Sequence, residues 1–344
     1  MTRKHPARQN VHRATPAALR AAAARIARGA IVAFPTETVY GLGANALNAE
    51  AVAKIFEAKG RPSDNPIIVH VSDRKMLRKV VRRIPAPAER LMRDFWPGPL
   101  TLILPKKPVV PSLVTAGFET VAVRMPQGLA RDLVRLARVP IAAPSANLSG
   151  RPSPTTASHV AEDFPDLYVL DGGPTAHGLE STIVAFDPPR ILRHGAITEE
   201  DLKDFLRKKE GPTAGIARVG ERRASRRRAS SRSRGGPPAE SPGTKYTHYA
   251  PVRPLILFRR KSSLFAYAKA HPESLVLCPA WLAPFFAAWR VVPLGDSMEE
   301  IARNLFAALR TRRKGTELLV PVVPRRGLGR AVMDRLERAA TRIV

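Results

Sequence analysis

The sequence predicts an α/β protein of two units. The larger is built round a mixed, twisted sheet and the smaller round a doubly wound parallel sheet, with a linker between them. From residue 31 to about 208, short apolar runs alternate with helical patterns. From 252 to 344 the alternation settles into a regular βα rhythm. Between the two, residues 209–243 lose apolar periodicity and turn Arg/Ser-rich, then Pro/Gly-rich, a composition that cannot support a core. A length of 344 residues fits more than one domain, and no internal repeat stands out.

Taken in order, residues 1–14 read as a disordered basic tail. Over Pro16–Arg28, Leu19, Ala22, Ala23 and Ile26 recur at helical spacing, with Thr15 as N-cap and Gly29 as the stop. That helix runs directly into the next strand, so it belongs to the fold and not to an Arg-rich transit peptide. Ile31–Phe34 reads as a buried strand that ends at Pro35. Thr36-Glu37-Thr38, Tyr40, Gly41 and Gly43 follow. Hydroxyls and a carboxylate at the end of a buried strand are badly placed for packing and well placed to meet a ligand. Glycine there lets backbone N–H groups approach an anion. The plainer alternative is a polar strand-to-helix turn. Ala49–Ala58 is predicted helical, with Val52, Ile55 and Phe56 on one face. Strands are predicted at Pro66–Val71, Leu100–Leu104, Thr120–Arg124, Ile141–Ala143 and Ser181–Phe186. In the smaller unit, strands PLILF, SLVLC, RVVPL and ELLVPVV alternate with helical SSLFAYAKA, a short Trp/Phe-rich helix, SMEEIARNLFAALR and LGRAVMDRLERAA. Gly327-Leu-Gly329 is too short a signal for a dinucleotide fingerprint.

The charge is strongly asymmetric. Lys and Arg number 57 against 29 acidic residues, a net +28. Residues 1–36 hold seven of those cations and no acid, and residues 211–250 hold nine against Glu221 and Glu240. Half the excess therefore sits in the tail and linker, where it serves solubility or a weak, nonspecific RNA contact without forming a site. No apolar run reaches the length of a membrane span. Cys278 is the sole cysteine and lies in apolar LVLC, which points to a buried, inert thiol and a reducing, cytoplasmic location.

Four polar clusters in the larger unit interrupt its apolar logic. They are Thr36-Glu37-Thr38, Lys59-Gly60-Arg61-Pro62-Ser63-Asp64-Asn65 running on to His70, Ser145-Ala146-Asn147-Leu148-Ser149-Gly150, and Gly178-Leu179-Glu180-Ser181-Thr182. Arg193 follows a further strand, and Arg124 ends TVAVR where strand ends commonly meet ligands. Lys59 and Arg61, two apart in a loop, are expected to point at one anion. Such cations, hydroxyls and amides suit phosphate and carboxylate binding, by the arginine fork and the lysine point charge. They suit covalent catalysis poorly, since His70 and His177 have no Ser/Asp partner motif. No metal-ligand spacing is present either, so any Mg²⁺ is expected to be held by nucleotide phosphates. Each piece has a plainer reading: His70 as a structural histidine, Phe95-Trp96-Pro97-Gly98-Pro99 as a packing turn, RRRAS as solvated charge. From the residues alone, the larger unit is an anion-binding, nucleotide-dependent α/β domain.

PTETVYGLG, KGRPSDNPIIVH, FWPGPLT, VAVRMP, APSANLSG and DGG…ESTIV…ILRHGAIT together resemble the YrdC-like domain of threonylcarbamoyl-AMP synthases, over roughly residues 15–205. SPGTKYTHYAP and the tail ending GLGRAVMDRLERAA resemble the longer, two-domain form of that family. The resemblance implies a YrdC-like catalytic domain at 15–208, a linker at 209–251 and a small Rossmann-like domain at 252–344. It implies synthesis of threonylcarbamoyl-AMP and pyrophosphate from L-threonine, bicarbonate or CO₂, and ATP, a nucleotidyltransferase reaction. A separate transferase then passes the threonylcarbamoyl group to tRNA. The same matching puts Lys59, Arg61, Ser145 and Asn147 at the catalytic positions. Threonine would meet Thr36, His70, Arg124 and Ser181. ATP would meet Lys59, Ser63, Thr120, Ser145, Ser153 and Arg193, with Tyr246 closing from the linker.

Four positions depart from the family pattern: His194 for Pro, Thr244 for Met, Thr247 for Arg and Asp334 for Asn. They bear on linker closure and domain docking, away from the catalytic positions. Two rival readings are a non-catalytic RNA-binding module and a carbamoyl-transfer domain of metal-centre maturation. The second expects zinc-finger cysteine clusters that this chain lacks.

Overall fold

The computed structural model describes residues 10–186, 189–203 and 249–344. The strands of the larger unit are β1 (Val11–Arg13), β2 (Val32–Pro35), β3 (Tyr40–Asn45), β4 (Val69–His70), β5 (Leu100–Pro105), β6 (Thr120–Arg124), β7 (Ile141–Ala142), β8 (Val169–Asp171), β9 (Thr182–Phe186) and β10 (Pro189–Arg193). They form one sheet in the order β1-β8-β2-β3-β7-β4-β6-β5-β9-β10. The sheet is mixed: β2 runs antiparallel to β3, β4 parallel to β6, and β5 antiparallel to β6 but parallel to β9.

Helices form where the pattern predicts them. Pro16–Ala27 starts on the Thr15 side chain, which accepts from Ala18 N at 3.2 Å, and buries Ala22, Ala23 and Ile26. Ala49–Lys59 starts on Asn48 and stops at Gly60, whose φ of 58° is the left-handed cap that glycine supplies without strain. Val52, Ile55 and Phe56 face the core together with Phe34, Leu42 and Val69.

The second unit carries β11 (Leu255–Phe258), β12 (Leu275–Cys278), β13 (Val291–Pro293), β14 (Leu318–Pro321) and β15 (Arg342–Ile343) in the order β13-β12-β14-β11-β15. All its pairings are parallel. A strand alternates its side chains between two faces, and these strands are apolar on both. Leu255, Leu257, Leu275 and Leu277 pack with the helices Met298–Leu309 and Leu328–Ala339. Ile256, Phe258, Val276 and Cys278 pack with Lys261–Ala270 and the 3₁₀ turn Ala280–Phe285. Cys278 is fully buried, which pushes its thiol up to about 11.

Several expectations need correction. Val11–Arg13 are not tail: they pair in parallel with β8, an arrangement set by tertiary contact and invisible in a three-residue basic stretch. The stretch after Pro35 is not a strand-to-helix turn. It is a hairpin, with Val32–Pro35 paired antiparallel to Tyr40–Gly43. Gly43 serves packing: a Cβ there would stand 2.6 Å from Phe34 Cε1 and 2.7 Å from Ile141 Cγ2. Only Val69–His70 of PIIVHV joins the ladder. Ile67 N donates instead to Val114 O outside the sheet.

The two units meet along the first. Gly178 lies so close to the helix Met298–Leu309 that a Cβ would stand 2.3 Å from Arg303 O. Arg303 Nε donates to Ala176 O at 3.0 Å, and Arg310 Nη2 reaches Pro152 O at 2.6 Å and Asp163 Oδ2 at 2.7 Å. Val39 and Leu179 of the larger unit are buried in the apolar cluster of the smaller.

Candidate active site

A hollow, about 670 Å³ of free space counting the open solvent at its mouth, lies where the hairpin turn, the ends of β4 and β6, the 143–153 loop and the start of β9 converge. Thr36, Arg61, His70, Arg124, Ser145, Asn147, Ser153, Ser181 and Arg193 line it. Residues 36 to 193 in sequence are therefore neighbours around one hollow. Thr38, Arg151, Glu180 and Tyr249 line it too, and none of these was assigned a role from sequence.

The hairpin turn is tied by its own hydroxyls. Thr36 Oγ1 donates to Val39 O at 2.6 Å and accepts from Thr38 N at 3.1 Å and Val39 N at 3.2 Å. Arg124 clasps the same turn from the end of β6. Its Nη1 donates to Thr38 Oγ1 at 2.9 Å and its Nη2 forms an ion pair with Glu37 Oε1 at 2.6 Å. Its Nε donates to Gly98 O at 3.2 Å, which gives the Phe95–Pro99 packing turn a task in the site. Both members of the Arg124–Glu37 pair are buried. The ion pair is not aligned as a hydrogen bond, so Glu37 has two buried oxygens with no donor.

His70 lies at the edge of the same pocket, buried, with its Nδ1 unpartnered and its ring edge-on to Phe34. Burial, and then the Arg124 charge, lower its pKa to about 3, so it stands neutral. His159, outside the cavity lining, is lowered to about 4 by burial and by Arg310. An unfolded histidine titrates near 6.5. As pH falls below that value the unfolded chain takes up protons that the folded chain refuses, so stability falls between about pH 6.5 and 4. The denaturant midpoint is expected to be lower at pH 5 than at pH 7. The difference should shrink in His159→Gln, and an unchanged difference would contradict the assignment.

Lys59 departs from expectation. It is not among the residues that line the cavity, as Arg61 is. Gly60 turns the chain between them, and Lys59 Nζ lies beneath the floor, donating to Ser145 O at 2.5 Å and to Asn147 O. Burial, and then Arg61, hold its pKa well below the usual lysine range. Arg61 does line the cavity, while its Nε and Nη2 fix its own loop through Asn65 O at 3.0 Å, Asn65 Oδ1 at 2.7 Å and Pro66 O at 2.7 Å. Asn147 donates to Leu148 O at 2.8 Å and Arg151 O at 3.0 Å, leaving its buried Oδ1 without a donor.

On the opposite wall, Ser181 Oγ shares a hydrogen bond with Thr101 Oγ1 at 2.7 Å and accepts from Arg193 Nη2 at 3.2 Å. Arg193 also holds Ser181 O at 3.0 Å. Ser153 Oγ donates to Glu180 Oε1 at 2.7 Å. Ser63 is exposed and Thr120 is partly so, at the end of β6 away from Arg124, and neither lines the cavity. Tyr246, Thr244 and Thr247 lie outside the described residues. Tyr249, three residues beyond Tyr246 in the same motif, is buried at the cavity wall, its ring 5.2 Å from Phe306 of the second unit. A second tyrosine in YTHYAP was the available signal.

Among the described residues, no three His, Cys, Asp or Glu side chains gather to hold a metal, and no helix is long and apolar enough to cross a membrane. The polar lining is mainly cations and hydroxyls, with Asn147, His70 and the Glu180 carboxylate among them. Those features define an enzyme-type site for small anionic substrates.

Comparison with known proteins agrees. A family model described as "Telomere recombination" and built on Sua5, YciO and YrdC matches residues 24–195. A second, described as "Threonylcarbamoyl-AMP synthase, C-terminal domain", matches residues 197–341. The Pyrococcus abyssi threonylcarbamoyl-AMP synthase is 45% identical over 94% of this chain and 94% of its own. That of Bacillus subtilis is 44% identical over 93% and 92%. The crystal structure of P. abyssi Sua5 complexed with L-threonine superposes with a TM-score of 0.82 at 41% identity, covering 97% of this chain and 98% of that one. The chain belongs to the threonylcarbamoyl-AMP synthase family, in its two-domain form.

Proposed function

We propose that this chain condenses L-threonine, bicarbonate or CO₂, and ATP into threonylcarbamoyl-AMP and pyrophosphate, as an L-threonylcarbamoyladenylate synthase. The observation that carries the reading is the convergence of Thr36, Arg61, His70, Arg124, Ser145, Asn147, Ser153, Ser181 and Arg193 on one cavity. Family membership and the likeness to a synthase complexed with L-threonine support it.

In this reading threonine sits among Thr36, His70, Arg124 and Ser181. Arg124 and its neighbours attract the carboxylate, and neutral His70 accepts a hydrogen bond from the ammonium or hydroxyl. The nucleotide lies toward Arg61, Ser145, Ser153 and Arg193. Ser63 and Thr120 keep a nucleotide role by resemblance alone. The threonine amine adds to CO₂ with loss of a proton to solvent (or to bicarbonate with loss of water) to give a carbamate, whose oxygen attacks the α-phosphorus as the bond to pyrophosphate breaks. Both nucleophiles come from the substrates, so the protein needs no nucleophile of its own. Holding three reactants in line can supply about 7–11 kcal/mol of the barrier. Any Mg²⁺ would be held by the nucleotide phosphates, whose charge it would offset. The product passes to a separate tRNA-modifying transferase in the cytoplasm.

The test is incubation with ATP, bicarbonate and each of the twenty amino acids. Pyrophosphate should appear with threonine and bicarbonate together. Release that ignores the amino acid, or none alongside salt-sensitive RNA binding, would turn the assignment toward a different enzyme or an RNA-binding module.

A further inference from the structure

Arg335 lies on the last helix of the second unit, Leu328–Ala339, yet it is fully buried and its guanidinium ends at the first unit. Its Nε donates to Glu180 Oε2 at 3.1 Å, and its Nη2 is also 3.1 Å from that oxygen. Its Nη1 donates to His194 O at 2.7 Å and to Asp334 Oδ2 at 2.8 Å. Its charge lies 5.7 Å from the centre of the Tyr249 ring. The other oxygen of Glu180 accepts from Ser153 Oγ at 2.7 Å, and both Glu180 and Ser153 line the cavity. The backbone at Glu180 packs directly against Gly195, where a Cβ would stand 2.3 Å from Glu180 O and 2.5 Å from Thr182 N. A chain of contacts therefore runs from the second domain through one arginine and one carboxylate to a cavity hydroxyl.

We infer that Arg335 is a positioning residue for the nucleotide half of the cavity, holding the Glu180 carboxylate away from Arg193 and aimed at Ser153. The inference rests on reading that half of the cavity as a nucleotide site. A buried carboxylate stripped of one partner must find another or take up a proton. The nearest remaining cation is Arg193, whose charge already acts on Glu180. Pairing there would draw the Arg193 guanidinium from Ser181 on the cavity wall and release Ser153. Of the family departures, Asp334 supplies a side-chain oxygen to Arg335 Nη1, while His194 gives only its backbone carbonyl, which any residue there would offer. The influence expected of Asp334 on domain docking therefore falls on this guanidinium. Arg335 touches no substrate position itself.

The experiment compares wild type, Arg335→Lys, Arg335→Met and Arg335→Met/Glu180→Gln. It uses equilibrium titration with a non-hydrolysable ATP analogue, equilibrium titration with L-threonine, and thermal melting. Arg335→Met should weaken analogue binding about tenfold or more while threonine affinity changes less than about twofold. The double variant removes the stranded charge and should recover analogue affinity to within about threefold of wild type. Arg335→Lys, which can pair with Glu180 but cannot also span His194 O, should fall between. Unchanged analogue affinity in folded Arg335→Met or Arg335→Lys would overturn the inference. So would a double variant as impaired as the single one, the mark of a role confined to docking. Binding is read without turnover, so a wild type that binds nucleotide but makes no pyrophosphate refutes the proposed reaction while these variants still decide the inference.

Discussion

Replacing Lys59 by methionine should lower threonine-dependent pyrophosphate release by about 10²–10³-fold, the scale on which loss of one preorganising group is felt. The loss comes through the backbone. Lys59 Nζ gathers the carbonyls of Ser145 and Asn147 from beneath, and those residues present their side chains to the cavity. Methionine matches the stem of lysine but leaves Asn147 O without its side-chain donor, at about 1–3 kcal/mol if it stays buried and unpaired, while Ser145 O keeps only the Asn147 N–H at 3.0 Å. Sequence alone predicts lost activity with the fold intact; the structure adds a fall in unfolding free energy. Arg61→Ala separates the two effects. It removes a cavity cation whose Nε and Nη2 tie Asn65 and Pro66 of its own loop, so it should cut activity with a smaller stability loss. Steady-state assays with urea titration of both variants check this. Lys59→Met with wild-type activity would contradict it.

Arg124→Met should abolish threonine binding and lower stability by about 3–5 kcal/mol, the usual result of removing one member of a buried ion pair. Glu37 would be left as a buried carboxylate with neither a hydrogen-bond donor nor a counter-charge 2.6 Å away. Thr38 and Gly98 would each lose a donor, and with them the turn loses its external clasp. Arg124→Lys should rescue little, because one ammonium cannot replace a fork that meets a carboxylate, a hydroxyl and a carbonyl together. Adding Glu37→Gln to Arg124→Met should recover stability but not threonine affinity. Calorimetric titration with L-threonine and denaturant midpoints separate the two. Recovery of both would give Arg124 a purely structural task.

Much of this was legible in the sequence because apolar runs and strand ends are local signals. TVAVR is a strand over Thr120–Arg124, and its terminal arginine lies in the cavity. The helix Pro16–Ala27 begins at Thr15, the cap that its sequence offers. Where the sequence misled, the deciding force was not local. YGLGAN reads as a turn by its glycines, but it is a strand because Phe34 and Ile141 need the space over Gly43. Lys59 and Arg61 look like a pair by spacing, and a left-handed glycine separates them. Arg335 is 155 residues from Glu180, and no periodicity in its own helix marks a charged residue for full burial. Apart from its neighbour Asp334, its partners Glu180 and His194 come only with docking of the two domains.

The most direct measurement is a crystal structure of the full chain with L-threonine and a non-hydrolysable ATP analogue. The account predicts threonine within hydrogen-bond reach of Arg124 and Ser181, and the analogue's phosphates between Arg61 and Arg193 in the same hollow. Ligands on separate surfaces, or an occupied site to which none of those four side chains contributes, would contradict it.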